Sequence, residues 1–90
     1  MAPRRLSRLQ RRMLQQLLTL HQRTRGTLAM SHLELVQAMG GDRSNVGQSL
    51  RTLEARGLIT IGRTPGGKAE YVALTPEGLN VSTEMKGRGE

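Results

Sequence analysis

Ninety residues with a net charge of +7 describe one small basic domain, and its core has to be aliphatic because Tyr71 is the only aromatic. The lack of cysteine excludes disulfides and thiolate metal sites, and His21 and His32 are too few and too far apart to suggest a zinc centre. No apolar run approaches a membrane span or a signal-peptide core, so a cytoplasmic protein without membrane contact or cofactor is expected.

The charge is unevenly placed. Residues 1–26 hold seven arginines and no acid, whereas residues 27–90 balance seven bases against seven acids. A concentrated basic excess is the footprint of a phosphate-rich partner or of an acidic protein.

In chain order, a first helix is expected over residues 4–24, with Pro3 at its start. Leu6, Leu9, Met13, Leu17 and Leu20 recur at three- and four-residue steps, and Leu14 and Leu18 widen the stripe. Arg4, Arg8, Arg11, Arg12 and Gln15 fall on the opposite face, where like charges without a carboxylate repel one another and call for an anionic neighbour. The bland reading is a solvated outer face. The sharper one is contact with a DNA backbone or a protein partner. Thr27-Leu28-Ala29 is a short extended candidate.

Ser31-His32-Leu33-Glu34 fits a capping box, opening a helix over 31–39 with Leu33, Leu35, Val36 and Met39 inward. Gly40-Gly41 ends it, Asp42 is placed to cap a second helix over 43–56, and Gly57 closes that one. Helix, tight glycine turn, helix is the spacing of a helix-turn-helix. In the second helix Val46, Leu50 and Leu53 face inward, leaving Ser44, Gln48, Arg51 and Thr52 outward and Asn45 to one side. Solvated helix faces more often carry Glu and Lys. This one carries groups suited to base edges: Asn and Gln match adenine, Arg matches guanine, and Ser or Thr serve a base or a phosphate. Gly47 interrupts the helix on the flank of this face; close packing against the preceding helix is the expected reason, and close approach to a phosphate is the sharper alternative.

A hairpin over 58–74 follows, pairing Leu58-Ile59-Thr60-Ile61 with Tyr71-Val72-Ala73-Leu74. Its loop contains Pro65-Gly66, which suits a type II turn, and carries Arg63 and Lys68. A basic loop beside a recognition helix is a candidate wing, its cations tracking the backbone or entering a minor groove. Thr75-Pro76-Glu77 then opens a short last helix, weakened by Gly78 and Asn80, and residues 86–90 are expected as a flexible tail. Residues 1–85 thus read as a single α+β domain, mainly α with a small β-hairpin: three helices, a two- or three-stranded wing sheet and a short C-terminal helix.

This order resembles the winged helix-turn-helix of the MarR-like group of bacterial and archaeal transcription regulators. The likeness rests on Glu34–Gly40, on Asn45–Ile59 with its Leu-Glu-x-x-Gly-Leu-Ile run, and on Val72–Gly78 with its Leu-Thr-x-x-Gly corner. The resemblance implies sequence-specific binding of double-stranded DNA by a homodimer. It puts Ser44, Asn45, Gln48, Arg51 and Thr52 in the major groove and Arg63 and Lys68 on the wing, and Arg43 beside them is a further expected DNA contact. The wing departs from the group in lacking Asp-x-Arg. The ninety residues also lack the long C-terminal helices that usually complete the dimer, so dimerisation is expected through the first helix or the tail.

Two other uses compete with a small regulator. One is a winged-helix module of a nucleoprotein assembly, with the first-helix arginines meeting an acidic protein partner. The other is an RNA-binding accessory protein, disfavoured by the shortage of aromatics for base stacking. An enzyme is not expected, since there is no cysteine nucleophile, no His–carboxylate pairing and no phosphate loop around Gly66-Gly67-Lys68.

Overall fold

Ser7 caps the first helix of the described residues. The computed structural model describes residues 6–26, 29–67 and 69–87, so Pro3, Arg4 and Lys68 lie outside the described residues. Helix α1 spans Arg8–Thr24. The Ser7 hydroxyl accepts from the Gln10 amide at 3.1 Å while the Gln10 side chain accepts from the Ser7 amide at 3.0 Å, a complete capping box. The expected start at residue 4 therefore moves to residue 8. Met13, Leu14, Leu17 and Leu18 are buried, and Leu6 and Leu9 are only partly covered, so the core stripe is centred further round the helix than the longer leucine series suggests.

Strand β1, Met30–Ser31, leads directly into helix α2, His32–Ala38. It lies just beyond the expected Thr27-Leu28-Ala29 segment, of which residues 27 and 28 fall outside the described residues. At the start of α2 the Ser31 hydroxyl accepts from the Glu34 amide at 3.0 Å, but the reciprocal half of the expected capping box is not formed. Leu35, Val36 and Met39 are buried. Leu33 is 52% exposed, contrary to expectation, because the three buried positions share one side of the helix and Leu33 falls on the other.

The turn to helix α3, Arg43–Ala55, needs left-handed backbone twice, at Gly40 (φ 98°) and Gly41 (φ 87°), which glycine supplies without a Cβ clash. Asp42 then caps α3 by accepting from the Asn45 amide at 3.1 Å. Val46, Leu50 and Leu53 are buried as the spacing predicts, and Ser49 joins them.

Strands β2 (Ile59–Arg63) and β3 (Ala69–Leu74) form the hairpin, and β1 adds to its far edge in the antiparallel order β1-β3-β2. Met30, Val72 and Ile61 form one cross-strand row toward the core. Ser31, Tyr71 and Gly62 form the next row, on the outer face. The Tyr71 ring covers Gly62, where an added Cβ would lie 2.2 Å from the ring, which accounts for an aromatic left 49% exposed. At the hairpin tip the Gly67 amide donates to the Thr64 carbonyl across Pro65 and Gly66. The positive φ falls on Gly67 (85°) and not on Gly66, so the turn is not the type II expected.

Helix α4 spans Pro76–Gly87, so Lys86 and Gly87 are helical and not part of a tail. Its N-terminus is locked to the end of α3. The Thr75 hydroxyl accepts from the Gly78 amide at 3.0 Å and donates to the Gly57 carbonyl at 2.6 Å, while the Thr75 amide donates to the Leu58 carbonyl at 3.1 Å. The Gly-Leu and Leu-Thr-x-x-Gly motifs are thus the two halves of one joint. The core lies between α1, α2, α3 and the inner sheet face, with Met85 of α4 reaching into it.

Candidate nucleic-acid interface

Helix α3 presents a polar strip because its buried residues share one side. Ser44, Gln48 and Arg51, spaced i, i+4, i+7, line the opposite side and are all exposed. Among the described residues none of these three side chains has a hydrogen-bond or ion-pair partner within the chain, and Arg43 is likewise exposed and unpaired. Each keeps its full hydrogen-bonding capacity for an outside molecule.

Other predicted residues are already engaged. The Asn45 side-chain amide donates to Asp42 Oδ2 at 2.6 Å, so the carboxylate that caps α3 also fixes this side chain. The Thr52 hydroxyl donates to the Gln48 carbonyl one turn back at 3.2 Å. Arg63 makes a two-pronged ion pair with Glu54 in the last turn of α3, Nη1 to Oε2 at 3.0 Å and Nη2 to Oε1 at 3.1 Å. The hydrogen bonds from Arg63, reinforced by its charge, hold the Glu54 carboxyl below its usual range and raise the Arg63 value in return. The pair is therefore intact at neutral pH and comes apart as pH falls through the depressed Glu54 value.

Beside this pairing the hairpin has a register shift between Gly62, opposite Tyr71, and Arg63, opposite Ala69. Bulges of this kind re-aim a side chain. No sequence signal marks it, since Glu54 and Arg63 stand nine residues apart across a helix end and a strand.

The two flanks of α3 differ. On one, Asn45, Gln48, Ser49 and Thr52 share a groove of about 340 Å³ with Ser7, Leu9 and Gln10 from the first turn of α1 and its cap. On the other stand Gly47, Glu54 and the strand end carrying Arg63. The expected reason for Gly47 does not hold: a Cβ built there meets nothing within 4 Å. Gly47→Ala is accordingly expected to stabilise the fold by about 1 kcal/mol through helix propensity. Urea denaturation reads this directly, and a loss of stability would mean that a neighbour does crowd the site.

The α1 arginines lie round the corner from that groove. Arg8, Arg11, Arg12, Gln15, Gln16 and Thr19 line a second groove of about 420 Å³ that ends at Met39, the C-cap of α2. Among the described residues no carboxylate comes within 4 Å of Arg8, Arg11 or Arg12. No group of three or more metal-ligating side chains occurs among the described residues, and no helix there is long and apolar enough to cross a membrane.

No protein-family model and no curated protein matches the chain. Solved structures do match. The adhesin competence repressor AdcR from Streptococcus pyogenes is 14% identical with a TM-score of 0.73, over 94% of this chain and 57% of its own. MepR from S. aureus, in a complex with DNA, is 19% identical with a TM-score of 0.72, over 91% of this chain and 63% of its own. BpsR of Bordetella bronchiseptica, whose DNA binding is regulated by 6-hydroxynicotinic acid, is 25% identical with a TM-score of 0.72, over 97% of this chain and 61% of its own. The chain spans little more than half the length of these proteins. Four helices around a three-stranded antiparallel sheet, superposing at this level on repressors and regulators of one kind, give this chain the winged helix-turn-helix fold of the MarR-family transcription regulators.

Proposed function

We propose that this protein is a sequence-specific double-stranded DNA-binding regulator that acts as a homodimer, without enzymatic activity. The observation that carries this reading is the strip Ser44, Gln48, Arg51 on α3: exposed, unpaired within the chain, and chemically suited to base edges. A helix about 10–12 Å across its side chains fills a major groove about 12 Å wide. Seated there, α3 would present this strip to the bases, with Arg43 and the engaged Asn45 and Thr52 near the groove walls. MepR, similar in fold, has been captured with DNA, which supports the same use here. The open space at Gly47 among the described residues is compatible with this reading, since it leaves room for an outside backbone to come close.

The test is selection of bound duplexes from a random-sequence library. The expected result is a consensus with two inverted half-sites about one helical turn apart. An enriched but non-repeated site would remove the dimer and keep the reader. Recovery of unselected sequence would remove sequence-specific recognition.

A further inference from the structure

Among the described residues, the wing's cation is already paired. DNA lying along the α3 strip has a backbone wall on each side of the helix, because the groove is hardly wider than the helix it holds. One wall runs beside Gly47, Glu54 and Arg63. There Arg63 is already held by a two-pronged bond to Glu54, which leaves Arg43, exposed and unpaired at the start of α3, as the free described cation on that side. The other wall runs beside Asn45 and Thr52, which share a groove with Ser7, Leu9 and Gln10 of α1. Arg8 and Arg12 belong to these same first turns. Both are exposed, and with Arg11 they form a cationic surface with no carboxylate within 4 Å among the described residues. Four guanidinium groups and no acid lie within Arg8–Thr24, a density that costs self-repulsion unless an anion relieves it.

We infer that the basic face of α1 is the main phosphate clamp of the DNA complex, and that Arg63 positions the wing without neutralising a phosphate. This rests on the DNA-binding reading above and adds a division of labour to it: α3 reads bases, α1 supplies the sequence-independent attraction, and the Glu54–Arg63 pair sets the wing against the recognition helix. The surface is assigned to a nucleic-acid backbone and not to an acidic protein because Arg8 stands in the first turn of α1, whose Ser7, Leu9 and Gln10 share a groove with Asn45, Gln48 and Thr52 of α3.

The decisive measurement is the slope of log affinity against log salt for a mixed-sequence duplex of two helical turns, taken between about 50 and 200 mM. Each phosphate neutralised contributes about 0.9 to that slope. The double variant Arg8→Gln/Arg12→Gln is expected to lose nearly two units. Arg8→Lys/Arg12→Lys should keep the wild-type slope, and Arg63→Ala should leave it within about half a unit. Since Arg8 and Arg12 are exposed and unpaired, the melting curves of these variants should overlay that of the wild type. An unchanged slope in the Gln variant, with duplex binding intact, overturns the clamp and leaves the α1 arginines to an acidic protein. A full unit lost on removing Arg63 overturns the positioning role. A wild-type chain that binds no duplex at any salt overturns the DNA reading itself, an outcome distinct from the other two.

Discussion

Gly78→Ala is expected to destabilise the fold by about 3 kcal/mol, which for a domain of this size lowers the melting temperature by roughly 10–20 °C. An added Cβ would stand 1.8 Å from the Leu58 carbonyl oxygen and 2.8 Å from its carbon. The obstacle is backbone, so no rotamer change removes it. Nor is Leu58 free to move: its carbonyl already accepts the Thr75 amide, and the preceding Gly57 carbonyl holds the Thr75 hydroxyl. Relief has to come from swinging α4 away, which would strip cover from Met85 and Ser82, both buried. The gain in helix propensity from Gly to Ala, about 1 kcal/mol, offsets only part of this. Gly47→Ala makes the same chemical change in a helix with open space around it, and is expected to shift stability the other way. Urea or thermal denaturation of the two variants side by side is the check. Equal shifts would show that α4 does not lie against Leu58.

That joint also shows how far the sequence could be read. Leu-Glu-x-x-Gly-Leu-Ile and Leu-Thr-x-x-Gly were legible as a family pattern, and their spacing gave the order of α3, hairpin and α4. Their physical meaning, one motif's carbonyls bonded by the other's threonine, needs three dimensions, because eighteen residues separate Gly57 from Thr75. The face of α3 was legible for a simpler reason. Helical periodicity alone sorts Val46, Leu50 and Leu53 from Ser44, Gln48 and Arg51. Periodicity failed where a helix is short. With only His32–Ala38 in α2, one apolar residue at the edge, Leu33, was assigned to the wrong side. The start of α1 is legible too, since Ser7-Arg-Leu-Gln10 is as good a capping signal as Ser31–Glu34 and forms more completely.

Within the candidate site, residue type was legible but availability was not. Asn45, Thr52 and Arg63 have the chemistry of DNA contacts, yet each is held by a neighbour that only the fold supplies: the cap Asp42, the Gln48 carbonyl and Glu54. Glu54 stands in the last turn of α3, and that place is what lets it reach the wing.

Arg51→Ala is expected to cost about 1–3 kcal/mol at one base pair of the selected site, roughly 5- to 150-fold in affinity, and little elsewhere. Arg51 is the one described cation in the middle of the exposed strip, and without an ion-pair partner in the chain both edges of its guanidinium are free for the O6 and N7 of a guanine. Truncating it leaves no buried charge behind and opens no cavity, so fold stability should hold while discrimination falls. The measurement is affinity against a panel carrying every single-base change in the consensus, for wild type and variant. Wild type should show one position where guanine is strongly preferred and Arg51→Ala is indifferent. Arg51→Lys should recover charge but little of that preference, because an ammonium cannot reproduce the two-pronged fork. A loss spread evenly over the whole panel would assign Arg51 to a phosphate. Discrimination would then have to come from Gln48 and Ser44, the other members of the strip, since Asn45 must give up its bond to Asp42 before its amide can reach a base.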